Sequence, residues 1–229
     1  MSKIIIDSLG FSYDQNVVLS NLNLKIERNG IYPLIGLNGA GKSTLVKLIL
    51  GELKPTQGSI LIDNENPHEL SLLERASKIS YLPQFDFIDP SIEVNELLQM
   101  SYFSREHRYW NLQDNRFKRL IEDFDIERFL NKKIGEVSGG ERKKILLAST
   151  FLQQGAIVIL DEPFASLDPK RKGEVGNLIT SEKNRIVIVV THEEKFIQSH
   201  IEKTIALKNK NLFNQGSVED SLFLCEVYN

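Results

Sequence analysis

The nine residues from 36 to 44, GLNGAGKST, fit the phosphate-binding pattern G-x-x-x-x-G-K-[ST] at each fixed position. Glycines let the backbone wrap closely around an anion, so that successive N–H groups point at the phosphates. Lys42 supplies a positive charge for the outer phosphates, and Ser43 offers a hydroxyl to Mg²⁺. The sequence therefore predicts a nucleoside triphosphate site formed by Gly36, Asn38, Gly39, Ala40, Gly41, Lys42, Ser43 and Thr44.

The elements around this loop have the order that a phosphate loop needs. Residues 31–35 predict a short buried strand, and the apolar residues 45–50 predict a helix that ends at Gly51. The N-terminus of that helix adds its positive dipole end to the loop. A plain glycine turn is the structural alternative.

Two adjacent carboxylates follow a second apolar run. Residues 157–160, IVIL, predict a buried strand, and Asp161 and Glu162 stand at its carboxyl end, where parallel sheets bind ligands. We expect Asp161 to hold Mg²⁺ and Glu162 to align and deprotonate the water that attacks the γ-phosphate. An acidic surface turn is the alternative for this segment taken alone.

A second candidate anion site lies at residues 137–141, VSGGE, just before a predicted helix. Ser138 contributes a hydroxyl, Gly139 and Gly140 contribute accessible N–H groups, and the helix contributes its N-terminus. Alternatively Ser138 caps the helix, with Glu141 completing a capping box. Both interpretations use the same N–H groups, so both can hold.

Composition limits the classes of protein that the chain can belong to. Its 229 residues are 41% apolar and 26% charged, which is typical of one globular domain. The net charge of −3 indicates no binding of nucleic acid or of an anionic membrane surface, and we interpret the basic cluster 142–144 as a solvated helix face. The single Cys225 excludes an internal disulfide. No signal peptide or membrane span is predicted, which indicates a cytoplasmic chain or one attached to a membrane through a partner.

Hydrophobic periodicity divides the chain into segments of different character. Residues 3–30 and 58–63 alternate between apolar and polar positions, which predicts an antiparallel β flank. Residues 91–154 have a helical pattern. Two β-branched runs, 156–160 and 186–190, lie on either side of a predicted helix at 170–181 and indicate an α/β core.

The end of the chain is predicted to form strands at 204–207 and 212–213, followed by a helix containing Leu222, Phe223 and Val227. Trp110 and the charged residues around it match no motif, and we interpret them as structural.

In motif order, the chain resembles the nucleotide-binding subunits of ATP-binding-cassette (ABC) transporters over nearly its whole length. Residues 36–44 are similar to the Walker A loop, 157–162 to the Walker B strand and 137–141 to the L-S-G-G-Q signature. The signature has two departures, Val137 for Leu and Glu141 for Gln. We expect both to be tolerated, since the resemblance assigns the phosphate contacts to the serine and glycines.

The resemblance gives functions to four more residues. Tyr13 is expected to stack on adenine, and Gln84 to sense Mg²⁺ and the attacking water as the Q-loop glutamine. Asp168 matches the D-loop, and His192 matches the switch histidine that contacts the γ-phosphate. Taken singly, each has an ordinary structural explanation, such as helix capping by Asp168.

The resemblance also implies the fold. It is α/β, with a P-loop NTPase (RecA-like) core, an antiparallel β flank and a helical subdomain that carries the signature. A single domain is expected over 1–229, with the core in 1–90 and 155–229 and the helical subdomain in 91–154.

The implied partners are a second ABC ATPase subunit, as a homodimer or as a pair with a paralogue, and integral-membrane permease subunits. Two cassettes of this kind pair head to tail and hold two ATP molecules between one Walker A loop and the other signature. ATP and Mg²⁺ are the implied cofactors, and the inner face of the cell membrane, reached through the permease, is the implied location.

Segments 81–84, 91–98 and 216–228 are similar to cassettes that import metal chelates, and free zinc or manganese fits nearly as well. The alternative is a soluble ABC ATPase of the assembly or translation type.

Overall fold

A computed structural model describes residues 2–84, 88–101 and 115–215. The predicted terminal helix with Leu222, Phe223 and Val227 lies outside these residues, as do Trp110 and Cys225. The strands are β1 (Ile4–Tyr13), β2 (Asn16–Ile26), β3 (Gly30–Ile35), β4 (Gln57–Ile62), β5 (Ile79–Leu82), β6 (Ile157–Asp161), β7 (Ile186–Val190), β8 (Ile205–Lys208) and β9 (Asn211–Gln215). The α-helices are α1 (Lys42–Ile49), α2 (Leu72–Lys78), α3 (Val94–Ser101), α4 (Asn115–Asp123), α5 (Gly139–Leu152), α6 (Pro169–Ser181) and α7 (Glu194–Gln198).

An antiparallel sheet of three strands has the order β2-β1-β4. Ile4 of β1 is paired with Ile26 of β2 on one side and with Ile62 of β4 on the other. All three side chains are buried, because the apolar positions of the alternating strands lie on one face. The predicted antiparallel flank is confirmed.

The second sheet has six strands in the order β5-β6-β7-β3-β8-β9. The first five are parallel and β9 is antiparallel to β8. Because β7 lies between β6 and β3, the carboxyl ends of these three strands meet at one edge of the sheet. The loops that follow them are therefore brought together, although they are far apart in sequence.

Both faces of this sheet are covered. In β6, Ile157 and Ile159 belong to the core shared with α1 and the antiparallel sheet, whereas Val158 and Leu160 belong to the core shared with α3 to α6. Burial on both sides explains why the central strands are continuous apolar runs instead of alternating ones. It also confirms the predicted α/β core.

The predicted helical region contains α3, α4 and α5 together with two short 3-10 turns. Helix α5 packs against α3, and the hydroxyls of Ser101 and Ser149 are 2.6 Å apart across that contact. In the described parts of the chain, no helix is both long and apolar enough to cross a membrane. The division into domains and subdomains stays a prediction.

The interpretation of the basic cluster 142–144 as a solvated helix face is wrong. All three side chains are half-buried, and Lys144 contacts α6. The Nζ atom of Lys144 is 2.6 Å from Oε2 of Glu174 on α6. The cluster therefore helps to join the helix that follows the VSGGE segment to the helix that follows Asp168.

Candidate nucleotide-binding site

The carboxyl ends of β5, β6, β7 and β3 surround a cavity of about 340 Å³. Each strand delivers a predicted site residue or loop to it, because neighbouring parallel strands end at the same edge. The cavity is lined by Val18, Asn38, Gly39, Gly41, Lys42, Ser43, Thr44, Gln84, Asp161, Glu162, Val190 and His192. Ten of the predicted phosphate, metal and catalytic residues, including Gln84, therefore line one cavity.

The glycine loop has a backbone that other residues could not form without strain. Gly41 has a φ of 100°, and a Cβ there would lie 2.6 Å from Cδ2 of Leu19. Gly36 has a φ of 150°, and a Cβ there would collide with the carbonyl oxygen of Leu207. The loop thus passes close against two neighbouring strands, which only glycine allows.

Lys42 is the first residue of α1 and is 8% exposed. Its Nζ donates hydrogen bonds to the carbonyl oxygens of Gly36 at 2.6 Å and Leu37 at 3.1 Å. Burial lowers the pKa of the ammonium, while Glu162 and Asp161 oppose that shift. The ammonium is therefore held over the loop, facing the two carboxylates at the end of β6.

Asp161 and Glu162 occupy different environments although they are neighbours. Asp161 is buried at the last position of β6, and burial raises its pKa, with Lys42 opposing. Glu162 has a φ of 50° and its N–H donates to the carbonyl of Val190 at 2.9 Å, so the chain turns sharply there. Burial, and secondarily Asp161, raises the pKa of Glu162.

His192 follows β7 and faces Glu162. Its Nε2 lies 3.5 Å from Oε1 of Glu162. Burial and the charge of Lys42 lower the pKa of the imidazole, which favours its neutral form at pH 7. The adjacent Thr191 is fully buried, and its hydroxyl accepts a hydrogen bond from the N–H of Glu193 at 3.0 Å, which fixes the turn.

The cavity has the donors that ATP and Mg²⁺ require. The glycine loop and Lys42 form a positive cradle that a Cβ at Gly41 would obstruct. The Ser43 hydroxyl, the Gln84 amide and the Asp161 carboxylate line the same cavity, and such oxygens are the ligands that Mg²⁺ prefers. The residues present therefore fit both groups.

The VSGGE segment lies elsewhere. Ser138 is the N-cap of α5, and its hydroxyl accepts from the N–H of Glu141 at 3.4 Å, so the predicted capping box is present. Ser138 and Gly139 are exposed, and neither they nor Gly140 line the first cavity. Gly140 instead lines a second cavity of about 460 Å³, together with Asp168.

Comparison with known proteins settles the family. The family model described as "ABC transporter" matches residues 19–165, which is more than half of the chain. The chain belongs to the ABC transporter ATP-binding family. It is therefore an ATP-binding subunit of the class that hydrolyses ATP, and the P-loop NTPase fold is confirmed.

Curated relatives resemble the cassette over most of their length. This chain is 32% identical to an uncharacterized ABC transporter ATP-binding protein of Methanocaldococcus jannaschii, and the alignment covers 93% of this chain and 85% of the relative. It is also 32% identical to the high-affinity zinc uptake system ATP-binding protein ZnuC of Bacillus subtilis, covering 91% and 92%. A probable iron chelatin transport ATP-binding protein of Helicobacter pylori is 30% identical, with 93% and 86% covered.

Among solved structures, the fold is similar to one described as the ATP-binding subunit of an ABC transporter. The TM-score is 0.81, with 23% identity, and 99% of this chain and 94% of the other are covered.

Some predicted site residues of the cassette do not line the first cavity. The Tyr13 side chain is 45% exposed and packs edge-on against Phe11, with ring centroids 4.8 Å apart. Asp168 caps α6 by accepting from the N–H of Arg171 at 3.0 Å. Gly36 contributes the carbonyl that Lys42 contacts, and Ala40 is buried beside the loop. The functions predicted for Tyr13 and Asp168 stay predictions.

Three residues that the sequence analysis gave no function either line the cassette's cavity or act on its carboxylates. Val18 reaches it from β2, and Val190 from the last position of β7. Burial raises the pKa of both Asp161 and Glu162, and the charge of Lys143 on α5 opposes that rise. No motif contains Val18 or Lys143, and only the apolar run before His192 pointed toward Val190.

Proposed function

We propose that this cassette is the ATP-hydrolysing subunit of a transporter that imports metal chelates or metal ions. ATP hydrolysis is supported by one observation: Lys42, Asp161 and Glu162 line the same cavity at the carboxyl edge of the sheet. A cation for the phosphates and two carboxylates of different environment are the groups that phosphoryl transfer to water requires.

In this proposal the loop residues and Lys42 bind the phosphates of ATP. Gly39 and residues 41–44 line the same cavity, and α1 begins there at Lys42. Ser43, Gln84 and Asp161 hold Mg²⁺, which when bound neutralises charge on the phosphates. Tyr13, which is exposed at the end of β1, stacks on the adenine.

Glu162 is the general base of the proposed reaction. Its carboxylate accepts a proton from water as the water oxygen bonds to the γ-phosphorus and the bond from phosphorus to the ADP oxygen breaks. Burial raises the pKa of Glu162, which makes it a better proton acceptor than an exposed glutamate. His192, neutral and 3.5 Å away, orients the Glu162 carboxylate and contacts the γ-phosphate.

A second cassette completes the site. Ser138, Gly139 and Gly140 stand at the N-terminus of α5, outside the cavity of their own chain, and two of them are exposed. In a head-to-tail dimer they bind the γ-phosphate held by the partner's loop, and Asp168 lies at the same interface. ATP then closes the dimer, and hydrolysis removes the bridging phosphate and opens it.

The proposal that the transporter imports metal chelates or metal ions is based on the relatives named above. Two of them are described as subunits for iron chelatin transport and zinc uptake, at 30% and 32% identity. A permease in the membrane carries the solute, and the cassette docks on its inner face. The choice between a metal chelate and a free metal ion belongs to the permease.

The test is isolation of the tagged chain from its own membranes in mild detergent. Recovery of a multi-span membrane protein in fixed ratio with the cassette is the expected result. Uptake of radioactive iron chelate or zinc by cells carrying Lys42→Ala should then fall. Recovery of the cassette only from the soluble fraction, with no membrane partner, would instead support the assembly or translation type of ATPase.

A further inference from the structure

The first turn of α5 contains a closed ring of hydrogen bonds between Ser138 and Glu141. The Ser138 N–H and hydroxyl donate to the same oxygen, Oε2 of Glu141, at 2.8 Å and 2.7 Å. The Glu141 N–H donates back to the Ser138 hydroxyl oxygen. The single hydroxyl proton of Ser138 is thus bonded to a carboxylate of its own chain.

This arrangement conflicts with phosphate binding. A serine hydroxyl has one proton to donate, so it cannot serve Glu141 and a phosphate oxygen together. The two Ser138 hydrogen bonds lower the pKa of Glu141, so the carboxylate is ionised near neutral pH. An approaching phosphate therefore meets a negative charge as well as an occupied donor.

Three cations around the second cavity form ion pairs with acids other than Glu141. The lining of the second cavity contains three ion pairs, whereas Glu141 accepts two hydrogen bonds from the neutral Ser138. The three pairs are Arg128 with Asp125, Lys144 with Glu174 and Arg171 with Asp168. The Ser138 hydrogen bonds are the main cause of the lowered pKa of Glu141, and the charges of Arg128 and Lys132 add to it.

We propose that Glu141 is an internal competitor for the Ser138 hydroxyl and so weakens the ATP-driven pairing of two cassettes. The inference rests on the proposed function, because it assumes that Ser138 binds the γ-phosphate held by a partner chain. The inference gives Glu141 a regulatory effect, whereas the sequence predicts only that a glutamate is tolerated at this position of the signature. ATP pairs two chains only when it displaces the carboxylate from Ser138.

The chain contains its own control. Ser71 and Glu74 at the start of α2 form the same ring, with the Ser71 N–H and hydroxyl donating to Glu74 Oε2 at 2.9 Å and 2.7 Å. Neither residue lines the nucleotide cavity or the second cavity. Glu74→Gln therefore reproduces the capping change of Glu141→Gln without touching the proposed interface.

The experiment measures the ATP concentration at which half of the chains dimerise, by sedimentation velocity with Mg²⁺. Each variant is made in a Glu162→Gln background so that ATP is retained. Glu141→Gln should lower the half-saturating concentration about three- to ten-fold, since a neutral amide gives up the hydroxyl more readily and does not repel the phosphate. Glu74→Gln should leave it unchanged. An equal or higher value for Glu141→Gln overturns the inference.

A double-mutant cycle separates two effects of Glu141→Gln, which are release of the Ser138 hydroxyl and loss of the negative charge. In a Ser138→Ala background the gain from Glu141→Gln should be mostly lost. A gain that persists in full overturns the competition for the hydroxyl. Binding of a fluorescent ATP analogue to the monomer distinguishes failure of the proposed function: analogue binding without any dimer, in parent and variant alike, refutes the head-to-tail assembly and the inference with it.

Discussion

The Nε2 atom of His192 lies 3.5 Å from Oε1 of Glu162, across the ends of two paired strands. The backbone fixes this relationship, because the N–H of Glu162 donates to the carbonyl of Val190 at 2.9 Å. Burial raises the pKa of Glu162 and lowers the pKa of His192. Both shifts reduce the charge of the pair relative to an exposed glutamate and histidine.

Replacement of Glu162 by glutamine should lower ATP turnover about 10²- to 10⁴-fold, the usual contribution of a general base. ATP binding should persist, because Lys42 and the glycine loop are unchanged. Steady-state phosphate release and equilibrium nucleotide binding measure the two effects. Glu193→Gln is the control, since Glu193 pairs with Lys172 and does not line the cavity. Turnover near that of the parent in Glu162→Gln would refute its assignment as base.

The loss of ATPase activity at low pH should reflect the protonation of Glu162. The base must be ionised, and burial raises its pKa, so activity should be lost at a higher pH than an exposed glutamate would give. The measurement is kcat/KM for ATP against pH. In His192→Asn the loss at low pH should remain, at a lower overall rate. Disappearance of this loss in that variant would assign it to the imidazole instead.

Glu162→Gln should also stabilise the cassette without nucleotide at neutral pH. The folded-state pKa of Glu162 is raised, so the folded chain holds this proton more tightly than the unfolded chain does, and stability falls as pH rises through that range. The amide removes the penalty, and Tm at pH 7 should rise by about 1 to 3 °C. The difference should shrink as the pH falls below 4.5, the ordinary pKa of a glutamate, because the carboxyl then becomes protonated in both states. A constant or negative difference across the pH range would contradict the burial penalty.

Local patterns were enough to predict most of this site. The glycine loop, the carboxylates after β6 and the histidine after β7 each follow a buried strand that its apolar run identifies. Once the strands are parallel, their carboxyl ends lie at one edge, and Asp161 and Val190 become direct neighbours in the sheet. The convergence of these residues follows from sequence and the geometry of parallel sheets.

The remaining features depend on packing between distant segments. The cluster 142–144 resembles a solvated face until α6 is placed beside it, and the contact of Lys144 with Glu174 joins residues 30 positions apart. Val18 reaches the cavity only because β2 passes over the loop near Gly41. Periodicity describes one element at a time, so it cannot identify which neighbour covers a face.

Loss of the Lys42 ammonium should weaken ATP binding about 10- to 100-fold, which corresponds to a hydrogen bond with a charged partner. Lys47→Ala is the control, because Lys47 lies on the same helix but is exposed and does not line the cavity. Equilibrium binding of a fluorescent ATP analogue gives both affinities. Equal affinities for Lys42→Ala and the parent would contradict the assignment of the phosphate loop.

The two glycines of the signature should respond differently to alanine. A Cβ at Gly140 would lie 2.6 Å from Cδ and 2.8 Å from Cζ of Arg171, whereas a Cβ at Gly139 meets nothing within 4 Å. Gly139→Ala should keep or raise Tm, since alanine favours a helix over glycine. Gly140→Ala should give a Tm about 2 to 4 °C below that of Gly139→Ala, because the Arg171 side chain must move away from the new Cβ and its ion pair with Asp168 is disturbed.

Arg171→Ala in the Gly140→Ala background tests the cause of that loss. Removal of the side chain opens the space that the new Cβ needs, so part of the lost Tm should return. Thermal unfolding of the single and double variants measures the coupling between the two positions. If the two substitutions simply add, the loss at Gly140 does not come from its contact with Arg171, and the close approach of α6 to the signature helix is not what requires a glycine there.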